Sequence, residues 1–217
     1  MIRNPKVILV IGLTTLLVSL DGCAGKIRYP SYYVLNVPAP ASTSSDRLKP
    51  ILGSVAVRVF SAPEFLREGP IAYRQSPEQL DFYNYHRWAV DPRRAVTAAM
   101  VREMQTRGLF QSVDLFDGRG SPECLVTGSL DHLEEVDHGV DVSIEVRVSA
   151  RMINLRTGEV LWQDTASETA RLDQRSVPGI VAEMSRELGN AVERLVSSMQ
   201  DRVRAASASL GRSNTEQ

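Results

Sequence analysis

The clearest pattern in the chain lies between residues 140 and 152. Val140, Val142, Ile144, Val146, Val148 and Met152 alternate with Asp141, Ser143, Glu145, Arg147, Ser149 and Arg151. A period of two predicts a strand with one buried and one wet face. Arg156-Thr157-Gly158-Glu159 interrupts the pattern as a tight turn, and Val160 to Thr169 returns as the second arm of a long antiparallel hairpin. After it the period changes. Val181, Met184, Leu188, Ala191, Leu195, Met199 and Val203 recur at intervals of three and four, which predicts a helix over 177–203 with one apolar stripe. A second helix starts at Asp91-Pro92, where Asp91 caps and Pro92 takes the first helical position. It carries Val96, Ala99, Met100 and Met104 inward, and Gly108 supplies a left-handed stop.

Shorter strands fill the rest: Tyr32 to Val37, Ile51 to Phe60, Ile71 to Arg74, Leu80 to Trp88, Leu109 to Phe116 and Cys124 to Val136. In the fourth of these, Leu80 and Phe82 fall on one face and Tyr83, Tyr85 and Arg87 on the other. Core packing then claims Phe82 and Trp88, leaving Tyr83 and Tyr85 exposed. The order of elements predicts an α+β fold, a mainly antiparallel sheet with two principal helices packed on one face.

The first 22 residues are set apart. Arg3 and Lys6 precede a short apolar run from Val7 to Leu20, and the small Gly22 follows, the pattern of a secretory signal peptide. Leu20-Asp21-Gly22-Cys23 resembles the bacterial lipobox, with Asp21 departing from the small neutral residue usual there. Cleavage places Cys23 first in the mature chain, where a thioether-linked lipid anchors it to a membrane. Ala24 follows the cysteine, not the aspartate that resembles an inner-membrane retention signal, so the expected location is the periplasmic face of the outer membrane. Four segments result: a lipoprotein signal over 1–22, a lipidated tether, first strand and Ser/Pro-rich linker over 23–50, an α+β domain over 51–203, and a disordered tail over 204–217.

Composition narrows the function. The 217 residues carry 25 basic and 26 acidic side chains, a formal net charge of -1, so no basic footprint for nucleic acid exists. Two cysteines, Cys23 and Cys124, make neither a disulfide framework nor a zinc site by themselves. Cys124, opening a strand beside Leu125 and Val126, reads as a buried inert thiol. His132 and His138 flank Glu134, Glu135 and Asp137, but their spacing fits no ligand motif, and the expectation is a solvated acidic loop without metal. No nucleophile elbow, phosphate-binding loop or dinucleotide fingerprint occurs. No catalytic set and no cofactor are expected.

The residues from Tyr73 to Pro92 carry a resemblance. Tyr32-Tyr33-Val34-Leu35, Tyr73-Arg74-Gln75-Ser76, and Arg87-Trp88-Ala89-Val90-Asp91-Pro92 resemble the blocks of the ABC-type transport auxiliary lipoproteins of the PqiC type. The resemblance covers most of residues 31–200. It implies a partnership with MCE-domain proteins of an ABC transport system, which move phospholipid or other hydrophobic molecules between membranes. It further implies a docking piece, not a catalyst, and homo-oligomers, since relatives form rings. The expected partner surface is Tyr73, Arg74, Tyr83, Tyr85 and Arg87, because Tyr and Arg are enriched at binding hot spots. The turn from Asn154 to Glu159 also resembles envelope lipoproteins that activate cell-wall synthases, which is the alternative role. A metal-dependent periplasmic enzyme built on Glu134, Asp137 and the histidines is the third.

Overall fold

The computed structural model describes residues 28–39, 50, 52–67, 69–137, 139, 141–173 and 175–213. The expected signal peptide, Cys23 and the start of its tether, most of the linker, His138, Val140 and the last four residues lie outside the described residues. The elements run in the order β1 (Ser31–Tyr33), β2 (Leu52–Val57), β3 (Pro70–Ser76), β4 (Gln79–Trp88), α1 (Pro92–Arg107), β5 (Phe110–Leu115), β6 (Cys124–Asp137), β7 (Val142–Asn154), β8 (Val160–Leu172) and α2 (Val177–Ser213).

The long strand β6 is the spine of one eight-stranded sheet. Along one edge it pairs antiparallel with β7 from Cys124↔Asn154 to Asp137↔Val142, and β7 pairs with β8. Its other edge is shared. β2 lies parallel to its start, with Val55 opposite Cys124, and β3 lies parallel to its end, with Tyr73 opposite Glu135. Between them a single bridge joins Ser61 to Ser129. The sheet therefore forks. One limb continues from β2 to β5, the other from β3 to β4 and β1. The fold is α+β as the pattern predicts. The long pairings are antiparallel hairpins, and the short strands add parallel pairs, so the sheet is mixed.

Both helices contribute to one core on one face of this sheet. On β7, Val142, Ile144, Val146, Val148, Ala150 and Met152 face it, while the residues between them stay half-exposed or exposed. α2 closes over β7 and β8 with Ile180, Met184, Leu188, Ala191, Val196 and Met199, all fully buried. Each large side chain of this set stabilises the fold by roughly 1.5–3 kcal/mol relative to exposure. α1 begins as its sequence dictates: the Asp91 carboxylate accepts from the Arg93 N–H at 2.9 Å, and Gly108 ends the helix at φ 65°.

Two expectations change. α2 continues to Ser213, where a disordered tail was expected from residue 204. The apolar stripe does end at Val203, but Ala205, Ala206 and Ala208 are strong helix formers and extend a helix that is already anchored. On β4, Phe82 is 36 % exposed while Tyr83 packs against the core. A register shift in the β3–β4 pairing, from Ala72↔Phe82 to Pro70↔Arg87, breaks the simple alternation. Trp88 is buried as expected.

Candidate functional site

The segment read as a solvated acidic loop is the last stretch of β6, which stays paired as far as Asp137. Glu134 and Glu135 are completely buried. Neighbouring residues of a strand face opposite ways. Glu134 stands across from Glu145 on the face away from the helices, and Glu135 stands across from the buried Ile144 on the helix side. Two carboxylates in a sheet core persist only with cationic partners. Each has one, brought from a distant part of the chain.

Arg74 of β3 grips Glu134 with a fork: Nε lies 2.9 Å from Oε1 and Nη2 3.1 Å from Oε2. Its Nη1 also donates to the Pro77 carbonyl at 2.9 Å. The hydrogen bond to Glu134 holds the guanidinium's proton more tightly than usual. His132 Nδ1 sits 2.9 Å from Glu134 Oε1. His132, Glu134 and Glu145 bring their ligand atoms within 4.8 Å of one another, the proximity a cation needs. The two oxygens of Glu134, however, are already taken by Arg74, so the charge there is compensated by protein.

On the helix side, the Tyr83 hydroxyl donates to Glu135 Oε2 at 2.5 Å. Arg175, just before α2, places Nη2 2.7 Å from Glu135 Oε1, an ion pair whose angle is poor for a hydrogen bond. Its Nη1 pairs with Asp137 at 2.9 Å, and its guanidinium lies 5.8 Å from the Tyr73 ring centroid. The Tyr73 and Tyr83 rings are 5.0 Å apart, and the Tyr73 hydroxyl donates to Asp81 at 3.2 Å. Burial, followed by the bond to Glu135, pushes the Tyr83 hydroxyl up to about 12.

The five residues expected to form a partner surface thus divide. Tyr73, Arg74 and Tyr83 are half-buried, Tyr73 bonded within the limb and Arg74 and Tyr83 to β6, whereas Tyr85 and Arg87 are exposed. The Arg28 guanidinium lies 5.9 Å from the Tyr85 ring centroid. Glu134, Glu135 and Arg175 were not identified as a network from sequence. Nothing local signals it, because the partners are 60 and 40 positions apart in the chain. Cys124 is buried, and burial together with the nearby Glu123 pushes its thiol up to about 11, as an inert core thiol requires.

Open grooves border the sheet. One of about 820 Å³ lies where Arg58 and Ser61 meet Thr127, Ser149 and Arg151. Beneath α2 the core side chains named above are packed and buried, and two open grooves follow its outer edge along β8, one of about 320 Å³ beside Asp164 and Arg194 and one of about 530 Å³ beside Trp162 and Arg202. Among the described residues no helix is long and apolar enough to cross a membrane.

Comparison with known proteins adds a family and a fold. The family model described as "ABC-type transport auxiliary lipoprotein component" matches residues 33–196. No curated protein matches the chain. The crystal structure of a Xanthomonas campestris protein of the DUF330 family is similar, with a TM-score of 0.69 and 15 % identity over 82 % of this chain and 99 % of that one. A second solved structure, of an uncharacterized protein, has a TM-score of 0.55 and 13 % identity over 85 % of this chain and 98 % of that one. At these identities the likeness concerns the fold alone.

Proposed function

The chain belongs to the family of ABC-type transport auxiliary lipoprotein components, and from that premise we propose that it is a docking lipoprotein of an MCE-type transport system. Lipid chains on Cys23 hold it on the periplasmic face of the outer membrane, after removal of residues 1–22. The folded domain there receives the end of the partner's periplasmic assembly, through which phospholipid or another hydrophobic molecule passes. Its role is non-catalytic, and the family is one of transport components, not of enzymes.

The observation that carries this reading is the packed core beneath α2, the grooves along its edge being open and poor in apolar lining. Met184, Leu188, Ala191, Val196 and Met199 are wholly occupied against the sheet. A protein that carried an acyl chain inside itself would need that space. Docking needs only a rigid surface. Tyr85 and Arg87 are the exposed members of the expected contact set, and the bonds made by Arg74 and Tyr83 hold the limb that presents them. Copies of the chain assemble around the docked partner.

The test is an affinity pull-down of the native lipoprotein from detergent-solubilised membranes, read by mass spectrometry. Recovery of an MCE-domain protein, lost in Tyr85→Ala and Arg87→Ala, is the expected result. Recovery of cell-wall synthases with no MCE protein would transfer the assignment to a synthase activator.

A further inference from the structure

Strand β1 and its approach alternate the wrong way for a strand at a wet surface. Tyr33 packs against the core and Leu35 is 8 % exposed, as inward residues should be. The residues that alternate with them on the outward side are also apolar, Tyr32 at 63 % exposed and Val34 at 56 %, and Tyr29, two residues before the strand begins, is 80 % exposed. A strand with one solvated face normally places polar residues there. Several large apolar side chains together, instead of a single one, mark a surface that meets something other than water.

This segment is held firmly. β1 pairs with β4 through Ser31↔His86, Tyr32↔Arg87 and Tyr33↔Trp88. The Tyr33 hydroxyl lies 3.0 Å from His86 Nδ1, and the Asn36 N–H donates to Ser185 Oγ of α2 at 3.1 Å. Two cations stand beside it: Arg28, over the Tyr85 ring, and Arg87, opposite Tyr32.

We propose that Tyr29, Tyr32 and Val34, flanked by Arg28, form the face on which the domain rests against a phospholipid bilayer. Tyrosine suits the headgroup layer, its ring apolar and its hydroxyl wet. Arginine beside it meets lipid phosphates. Position fixes the occupant. Tyr29 follows Cys23 by six residues, so an extended chain separates the two by at most about 21 Å. A lipid on Cys23 therefore keeps this face beside a membrane, and the inference rests on that anchoring reading. The consequence is an oriented domain: β1 points toward the lipid, with Tyr85 and Arg87 at the rim where a partner assembly arrives.

The test uses the full-length lipoprotein reconstituted into phosphatidylethanolamine–phosphatidylglycerol vesicles containing brominated lipid. Tyr29→Trp, Tyr32→Trp and Leu115→Trp are compared. Leu115 is also exposed but lies on β5, at the opposite end of the sheet path from β1. The native Trp88 and Trp162 are buried and provide a constant background. Quenching at positions 29 and 32 with little at 115 is expected. Mass analysis of the Cys23 peptide separates the two readings. An acylated Cys23 with no quenching at 29 and 32, or with equal quenching at all three positions, overturns the oriented face and leaves the anchor intact. If Cys23 carries no lipid, the anchoring reading fails, and the face is judged by cosedimentation of Cys23→Ala with the vesicles. Binding lost on adding Tyr29→Ser and Tyr32→Ser supports it, and binding unchanged or absent at the start overturns it. Emission at position 32 that shifts with protein concentration in the absence of lipid assigns the face to a second copy of the chain and likewise overturns it.

Discussion

Replacing Arg74 by methionine removes the cation from the fork on Glu134 and keeps much of the side-chain volume. Glu134 has no exposed surface, so its carboxylate cannot turn to water. Removing one member of a buried pair costs about 3–5 kcal/mol, because the remaining charge is uncompensated. Two features put this site near the lower figure. The Arg74 side chain is 22 % exposed, so solvent already screens part of the pair, and His132 remains 2.9 Å from Glu134 Oε1. A loss of about 3 kcal/mol is expected, a large share of a typical stability of ~5–15 kcal/mol. For a domain of this size that lowers Tm by about 6–12 °C. Urea and thermal unfolding, followed by circular dichroism and by Trp88 and Trp162 fluorescence, measure it at neutral pH. Glu134→Gln in the same background removes the orphaned charge and should restore most of the loss. A double-mutant cycle then gives a coupling of at least ~1.5 kcal/mol. An Arg74→Met variant within about 1 kcal/mol of the parent, or strictly additive effects, would refute the argument that this pair holds β3 to β6.

Other sites give sharper local tests. A Cβ at position 128 would stand 2.6 Å from the Ser149 carbonyl oxygen and press into the Phe60 ring; Gly128→Ala should cost about 1–3 kcal/mol, and adding Phe60→Leu should recover only part of it, because the carbonyl cannot retreat. Tyr83 has its folded-state pKa raised from 10.0 to about 12, so its contribution is complete below pH 10 and lost as the pH rises through about 12; the unfolding free energy should fall across that window, Tyr83→Phe should flatten the fall, and an unchanged slope would contradict the burial of its bond to Glu135. The Cys124 thiol, pushed up to about 11, should resist iodoacetamide at pH 8 in the native protein and react on unfolding in denaturant; rapid native labelling would show that β6 opens at its start.

What the sequence reveals of this fold is what depends on neighbours in the chain. The alternation on β7, the stripe on α2 and the Asp91-Pro92 start of α1 are local periodicities and local caps, and each appears in the structure where it is expected. The fork of the sheet is not local. It requires β2 and β3 to divide one edge of β6, and no period reports which strand lies beside which. The same reason hides the site. A run containing Glu134, Glu135 and Asp137 reads as wet because charge usually is; only Arg74 and Arg175, brought in by the fork and by the entry to α2, make burial affordable. On β4 the alternation assigns Phe82 to the core and Tyr83 to the surface, and the shift in pairing with β3 is what reverses them.

The two carboxylates also explain how the limb that bears the exposed surface stays attached. Among the described residues β3 meets β6 through two registered pairs, Tyr73↔Glu135 and Arg74↔Val136, and in the backbone pairing β4 and β1 reach the spine through β3. Backbone pairing that short would let the limb open on its own. Side chains supply the missing attachment, from both faces of the sheet. On one face Arg74 of β3 grips Glu134, and on the other Tyr83 of β4 and Arg175 before α2 converge on Glu135. Releasing one clamp should therefore loosen the limb before it unfolds the domain. In Arg74→Met, amide hydrogen exchange should accelerate over residues 70–88 and 31–33 under native conditions, while β8 and the turns of α2 packed on it, which share the core without touching Arg74, keep their protection. Equal acceleration everywhere would mean that the limb is part of one cooperative unit and that the clamps do no separate holding. Selective acceleration would mean that Tyr29, Tyr32, Tyr85 and Arg87 are displayed on a limb whose rigidity depends on two buried charges, and that a substitution far from any contact can abolish docking by softening the surface that makes it.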